Sequence, residues 1–206
     1  GRGIVRLDMD QIDDGPLHYD ARFRQVGQVG VAEGTVSAIT CRRGRAEIAD
    51  ANDDLVVVIP LEGEMRVEQS GKEAIVAAGQ ALVRRSDEPG QTWSRAGRYL
   101  TLSLAERLVT PRLADADALV MTVLPEGTEV MRLLTLYAGM VLDGPNGAEP
   151  DPARHSATHL ADLLTLALGA DRDNWRVARD RGLRAARLRA IEAGIAARAS
   201  EPGFAI

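Results

Sequence analysis

Short apolar runs separated by polar turns make up the first half of the chain. Residues 55–59, Leu-Val-Val-Val-Ile, are continuously apolar, which is typical of a strand buried on both faces. Met65 and Val67 alternate with charged residues and predict a half-exposed strand. A Ser-Gly turn follows, and residues 72–77 return as the hairpin partner. About eight strands of this kind up to residue 104 predict a β-sandwich or β-barrel.

The period of the apolar positions changes to that of a helix in the second half. A turn at residues 143–147 separates two amphipathic patterns, and Pro152 suits the first turn of the second helix. Two helices joined by a polar turn form an antiparallel hairpin. The predicted fold class is therefore α+β. The apolar positions of the two helices are Val130, Leu133, Leu134, Tyr137, Met140 and Val141, then Ala157, Leu160, Leu163, Leu164 and Ala167.

A third helix is predicted close to residue 206. Leu188, Ile191 and Ile195 repeat at helical spacing, and arginines lie largely off this apolar stripe. Pro202 then ends the helix. The last three residues begin a new apolar run, which we expect to belong to an element that the chain does not contain.

Charge is distributed unevenly along the sequence. The net charge is −5, whereas residues 171–206 hold eight arginines against five acidic residues. An acidic body with a basic tail fits a ligand-binding or dimer-forming domain that leads into a DNA-binding domain. A solvated arginine-rich helix explains the same pattern equally well.

Composition argues against several classes of protein. No run approaches the roughly 18 continuous apolar residues that a membrane helix needs, and no apolar core of a signal peptide begins the chain. The single cysteine, Cys41, permits no internal disulfide and fits a reducing compartment. Its strand-like surroundings favour a buried structural thiol. We therefore expect a cytoplasmic protein with no membrane partner.

Three segments carry a resemblance to AraC/XylS-type transcription regulators. Residues 53–104 and the segment ATHLADLLTLALGADRDN at 157–174 resemble the cupin-type effector domain of the AraC-binding group. The segment RLRAIEAGIAARASEPGFAI at 187–206 is similar to the first helix and turn of the family's DNA-binding domain. The resemblance implies a cupin-like antiparallel β-barrel or sandwich, followed by an α-helical hairpin and a C-terminal helix.

The same resemblance implies an organisation and a set of partners. Residues 1–110 would form the effector domain, residues 111–170 the dimerisation hairpin, and residues 171–206 a connector with the first helix of a helix-turn-helix domain. The expected partners are a small-molecule effector, a second copy of the chain, and DNA only through a domain beyond Ile206. The predicted function is thus the ligand-sensing and dimerisation portion of a non-catalytic regulator.

Catalytic and metal-binding patterns are missing from the sequence. Metal-dependent cupins hold a transition ion with histidines, but His18, His155 and His159 leave residues 19–154 without one. No nucleophile elbow, phosphate-binding loop or dinucleotide motif occurs. We therefore predict no catalytic residue, metal or cofactor. Two alternatives stay open: a metal-free cupin-fold enzyme that uses carboxylates, and an interaction module whose barrel is filled by side chains.

Aromatic residues are scarce, so their positions suggest where a ligand binds. Small-molecule sites favour the mouths of β-barrels. We predict Arg24, Trp93 and Tyr99 as ligand-binding residues, with Trp93 and Arg24 lining one cavity inside the barrel. The alternative is that Trp93 is an ordinary core residue, because large aromatic side chains mostly pack.

The helical hairpin is the predicted dimer interface. Its apolar faces are broad, and an apolar patch that one barrel leaves uncovered would be buried by a two-fold related copy. The alternative is that the whole stripe belongs to the intramolecular core. The residues predicted to form the interface are Leu133, Tyr137, Met140, Leu160, Leu163 and Leu164.

Overall fold

The computed structural model describes residues 6–109, 117–144, 150–169 and 179–198, together with Pro111 and Leu113. Residues 171–178, the first part of the predicted connector, and the predicted turn at Pro202 lie outside these residues. The described strands are β1 (Asp8–Gln11), β2 (Tyr19–Val26), β3 (Val29–Val36), β4 (Ile39–Arg43), β5 (Leu55–Pro60), β6 (Glu64–Gln69), β7 (Lys72–Ala77), β8 (Ala81–Arg85), β9 (Gly90–Ser94), β10 (Gly97–Leu104) and β11 (Val123–Leu124).

Two antiparallel sheets face each other. One contains five strands in the order β1-β4-β9-β6-β7, and the other contains six in the order β11-β8-β5-β10-β3-β2. Their edges are not joined by strand pairing in the described residues, so the strands form an open sandwich and not a closed barrel. The predicted α+β class with an antiparallel sandwich is confirmed.

Strand predictions based on alternation agree with the structure. β5 is buried along its whole length because it lies between β8 and β10 and is covered on both faces. β6 alternates between exposed and buried residues, as Met65 and Val67 predicted. β7 covers the predicted range and pairs with β6.

The six-stranded sheet separates two apolar cores. Leu55, Val57 and Ile59 lie on its outer face in a large core shared with the helices. Val56 and Val58 point the other way and meet residues of the five-stranded sheet in a smaller core. Because neighbouring residues of a strand point to opposite faces, β5 contributes to both cores.

Helices cover the outer face of the six-stranded sheet. They are α2 (Glu129–Asp143), α3 (Pro150–Ala167) and α4 (Arg184–Arg198), with α4 preceded by a π-helical turn at Arg179–Leu183. The short helix α1 (Arg45–Ile48) instead follows and contacts β4 of the five-stranded sheet. Thr128 caps α2 by accepting a hydrogen bond from the Met131 amide at 3.2 Å. α2 and α3 pack on each other and on β2 and β3. No helix in the described ranges is long and apolar enough to cross a membrane.

Candidate ligand-binding site

One face of β10 is accessible although a second sheet lies opposite it. Leu100, Leu102 and Leu104 face the helices and are buried. Tyr99, Thr101 and Ser103 face the five-stranded sheet, yet all remain partly accessible. Tight packing of two sheets would bury this face as fully as the helices bury the other. We call the space in front of these three side chains the inter-sheet space.

Small residues on β3 leave room for this space. Gly30, Ala32 and Gly34 point to the same side as Thr101, because β3 and β10 are paired in register. A Cβ atom on Gly34 would lie 2.3 Å from the Asp20 carbonyl oxygen, so β2 and β3 approach too closely for any side chain there. On β3 the space is thus lined by little more than backbone.

The inter-sheet space opens at one side of the sandwich. β3 and β4 are consecutive, so their outer partners β2 and β1 are the neighbouring edges of the two sheets. Met9, Tyr19 and Phe23 are on the inward-facing positions of these edge strands, yet are 48%, 48% and 42% exposed. They form an apolar rim at this edge of the sandwich.

Polar groups from both sheets line the inter-sheet space. Arg84 of β8 lies beside Val56 on the inner face, and its Nη1 donates to the Thr92 hydroxyl at 3.2 Å. Cys41 is paired with Thr92 on the neighbouring strand. Burial lowers the pKa of the Arg84 guanidinium, and burial raises the pKa of the Cys41 thiol against the opposing effect of Arg84. A cation from the six-stranded sheet therefore lies near a neutral thiol and a hydroxyl from the five-stranded sheet.

Two further hydrogen bonds organise the side chains of β10. The Ser103 hydroxyl donates to Asp54 Oδ2 at 2.6 Å. The Tyr99 hydroxyl lies 3.0 Å from that of Tyr19 on the open edge. Burial, followed by this hydrogen bond, raises the pKa of Tyr99 well above its usual value. Tyr99 therefore faces the inter-sheet space as a neutral phenol.

The structure does not bring the three predicted ligand residues together. Tyr99 lines the inter-sheet space, but Trp93 lies on the outer face of β9, where the Arg66 guanidinium sits 4.6 Å from its ring centroid. Arg24 points to the helices and donates from Nη1 to the Val141 carbonyl at 2.9 Å. Trp93 and Arg24 therefore do not line one cavity inside the sandwich, because strand alternation directs both side chains away from it.

Sequence reasoning also missed residues that line the inter-sheet space. Arg84, Cys41 and Phe23 were not predicted as ligand residues. The sequence contained a signal for Arg84, because it lies two residues after Leu82 in β8 and residues two apart in a strand share a face. For Phe23, the available signal was the run of small residues on the partner strand, which leaves its ring uncovered.

Arg24 instead lines a cleft between the sandwich and the helices. The cleft has a volume of about 500 Å³ and includes Tyr137, Ser156, Arg189 and Glu192 in its walls. At one side of it the Tyr137 hydroxyl lies 2.9 Å from His159 Nδ1. In the described residues, no group of three His, Cys, Asp or Glu side chains is arranged to hold a metal ion.

The predicted dimer residues lie mostly inside one subunit. Leu133 and Tyr137 are each 4% exposed, and Leu160, Leu163 and Leu164 are fully buried. All five belong to the large core between the helices and the six-stranded sheet, and Met140 packs against it. The structure thus places these residues as the intramolecular alternative expected. Their side chains are covered because the hairpin lies against the sheet.

Comparisons with known proteins identify the family. Residues 1–169 match the model of the AraC-binding-like domain family, which spans both the sandwich and the helical hairpin. The chain belongs to this family. No curated protein matches the sequence.

Solved structures match the chain at low sequence identity. The AraC-like transcriptional activator CuxR superposes with a TM-score of 0.66 and 14% identity over 80% of this chain and 62% of that chain. The present chain thus spans less than two thirds of the length of CuxR. A cupin superfamily protein from Desulfitobacterium hafniense gives a TM-score of 0.37 and 9% identity over 45% of this chain and 83% of that one. A Rhizobium leguminosarum protein of unknown function gives a TM-score of 0.36 and 14% identity over 45% of this chain and 86% of that one.

Proposed function

We propose that the chain is the ligand-sensing and dimerisation portion of an AraC-type DNA-binding transcription regulator and that it catalyses no reaction. The observation that carries the proposal is the accessible inner face of β10, where Thr101 and Ser103 face open space in the middle of a sheet. Concave sites with apolar walls and a few convergent polar groups are typical of small-molecule binding. The effector is proposed to occupy the inter-sheet space.

The interaction-module alternative expects a sandwich filled by side chains. In that case the inner positions of β10 would be as buried as Leu100 and Leu102 on its outer face. Their partial exposure, together with the glycines of β3, argues against filling. The enzyme alternative requires that the protein converts a bound compound into a product. Chromatography of the compound after incubation with the protein tests for this conversion.

Strand β10 offers a direct mechanical link from the ligand to the helices. Thr101 lines the inter-sheet space, while Leu100 and Leu102 on the same strand pack in the helical core. α2 in turn is joined to α4 by an ion pair between Glu129 and Arg187 at 2.7 Å. In the proposed mechanism, ligand binding favours one of two arrangements of these packed layers.

DNA binding is proposed to belong to helix-turn-helix units that follow in the intact regulator. α4 leaves Leu188, Ile191 and Ile195 56%, 59% and 39% exposed, so this apolar stripe is available to pack against further helices of such a domain. Recognition helices of helix-turn-helix units lie in the major groove. We expect the present chain to bind DNA weakly, and a specific gel shift at physiological salt would contradict this assignment.

We propose that dimerisation through the hairpin uses the solvent side of α2. Leu136 is 50% exposed there, and a Cβ on the nearby Gly139 would meet no atom within 4 Å. A second copy of the chain is the proposed partner for this face. The buried residues of the hairpin then hold α2 in position against the sheet and do not contact the partner.

A thermal-shift screen of small metabolites tests the proposed ligand site. A compound that binds the native state raises the melting temperature. The variant Thr101→Phe fills the inter-sheet space and is expected to abolish the shift. The matched control Glu68→Phe puts the same ring on the exposed outer face of β6 and should leave the shift unchanged.

The opposite result rejects the location of the site. If the compound stabilises Thr101→Phe as strongly as the wild type, the effector does not bind between the sheets. Retained binding in that variant together with loss in Arg24→Gln would instead assign the ligand to the cleft beside the helices.

A further inference from the structure

Arg84 differs from the neighbouring Arg43 and Arg85 because it has no acidic partner in the described part of the chain. Arg43 bonds Asp50 at 2.6 Å, and Arg85 contacts Asp87 at 2.9 Å and further carboxylates beyond it. Arg84 has no carboxylate within ion-pair distance among the described residues, and its hydrogen bond goes to the neutral hydroxyl of Thr92. Its positive charge is therefore not compensated by the protein side chains around it.

The energetic cost of burying Arg84 without an acidic partner in the described ranges suggests that it binds an anion. A charged group removed from water is destabilising unless a partner of opposite charge is present. Burial lowers the pKa of Arg84 against the opposing effect of the Cys41 thiol, and the nearby Arg43 lowers it further. Arg84 is also partly accessible although it lies between two sheets, so it faces the inter-sheet space. An anion entering that space would supply the absent partner.

We propose that the effector is a small organic anion and that Arg84 binds its carboxylate or phosphate group. This inference rests on the proposed function and specifies the chemistry of its ligand. A guanidinium presents two parallel N–H groups to such oxygens, which gives geometric selectivity as well as charge. The apolar part of the effector would lie toward the open edge, against Phe23 and Tyr19.

Cys41 provides a test that needs no knowledge of the effector. It is the single cysteine of the chain, and its strand neighbour Thr92 accepts the hydrogen bond from Arg84. Iodoacetate and iodoacetamide alkylate a thiolate by the same displacement of iodide, but only iodoacetate carries a negative charge. The ratio of their rates on Cys41 therefore reports the attraction of the inter-sheet space for anions, and the thiol pKa cancels from it.

Arg84→Gln should lower the iodoacetate to iodoacetamide rate ratio by about fivefold, because the screened attraction of one nearby charge is lost. Arg84→Lys keeps the charge and should keep the ratio within about twofold. The matched control is Arg66→Gln, which changes the net charge equally but on the outer face beside Trp93. It should leave the ratio unchanged.

The wild type alone gives a second measurement that does not depend on folding of a variant. Its rate ratio in buffer should exceed the ratio after unfolding in urea, because Arg84 is held near Cys41 only in the folded state, whereas the net charge of −5 is the same in both. An equal or lower ratio in the folded state would overturn the proposal.

The two levels of inference fail in different ways. If both reagents reach Cys41 and Arg84→Gln leaves their ratio unchanged, the anion site is wrong while the accessible inter-sheet space stands. If neither reagent modifies the folded protein, there is no accessible inter-sheet space, and both the anion site and the proposed ligand site are rejected.

Discussion

Arg43 is the most completely satisfied charged residue of the sandwich. It is 3% exposed, and its Nε donates to the Ser86 carbonyl at 2.6 Å. Nη1 donates to the carbonyls of Arg6 and Glu47, while Nη2 donates to Asp50 Oδ1 at 2.6 Å. One guanidinium thereby ties the N-terminal strand, α1 and the loop after β8 together.

Replacing Arg43 should destabilise the fold strongly. Arg43→Met leaves three carbonyl groups and the Asp50 carboxylate without their donor, which we expect to lower the free energy of unfolding by about 3 kcal/mol or more. Urea unfolding followed by circular dichroism measures the loss. The control Arg42→Met removes an exposed arginine that is 3.5 Å from Asp8, and it should cost less than about 1 kcal/mol. Equal losses would contradict the role of Arg43.

Asp50 makes the stability of the fold depend on acid. Its hydrogen bonds with Arg43 lower its pKa to about 2 from the ordinary 3.8. Because the folded-state pKa is lower, the stabilisation is present above pH 4 and is lost as the pH falls through 2. Asp50→Asn should thus cost up to about 2 kcal/mol at pH 5 and much less near pH 2. A cost that is independent of pH would reject the assignment.

Strand pairing and helix formation place opposite demands on glycine. Gly34 lies where β2 and β3 approach, and an added Cβ would be 2.9 Å from that of Ala21. Gly139 lies on the accessible side of α2, where an added Cβ meets nothing within 4 Å. The same substitution at the two positions therefore tests the two elements separately.

Alanine at these glycines should change stability in opposite directions. Gly34→Ala overpacks the strand pair and is expected to lower the free energy of unfolding by about 1–3 kcal/mol. Gly139→Ala restricts the unfolded chain and favours the helix, which should raise it by about 0.5–1 kcal/mol. Thermal unfolding of the two variants measures both effects. A stabilising Gly34→Ala would mean that β2 does not lie this close to β3.

The element α4 shows the limit of periodicity. Its apolar stripe of Leu188, Ile191 and Ile195 was predicted at helical spacing, but this stripe faces solvent in the structure. Ala186 and Leu183 enter the large core instead. A spacing pattern identifies a helix and an apolar face, but it does not say which neighbour covers that face.

The whole molecule is a three-layer arrangement in which the six-stranded sheet is shared. Helices cover one side of it with a continuous core, and the five-stranded sheet covers the other side only in part. The large core fixes the hairpin, while the partial cover leaves the inter-sheet space. Stability and ligand binding are therefore assigned to opposite faces of one sheet.

Substitutions at two leucines of the hairpin test the stability of the fold and dimerisation separately. Leu163→Ala empties a fully buried position and should lower the free energy of unfolding by about 2–5 kcal/mol at any protein concentration. Leu136→Arg alters an exposed position and should leave monomer stability nearly unchanged. Sedimentation equilibrium should then show dimerisation weakened about tenfold or more. A wild type that stays monomeric at high micromolar concentration would reject the dimer.

Much of the fold could be predicted because local patterns agree with it. The full burial of β5, the alternation of β6 and the helical period of α2 each reflect the faces that the element covers. Pro152 was predicted to lie in the first turn of α3, and it does, since the helix begins at Pro150. The proposed ligand and dimer residues were harder to predict, because they depend on which side of an element faces its neighbour.

The sequence by itself determined most of the strands and the three long helices, the α+β class and the resemblance to AraC-type regulators, since these depend on residue types and spacings along the chain. Only the tertiary structure decided that Trp93 faces outward, that Leu160, Leu163 and Leu164 are covered within one subunit, and that Arg84 faces the space between the sheets. The physical reason is that strand and helix periods define two faces, whereas burial of a face is decided by the packing of distant elements against it.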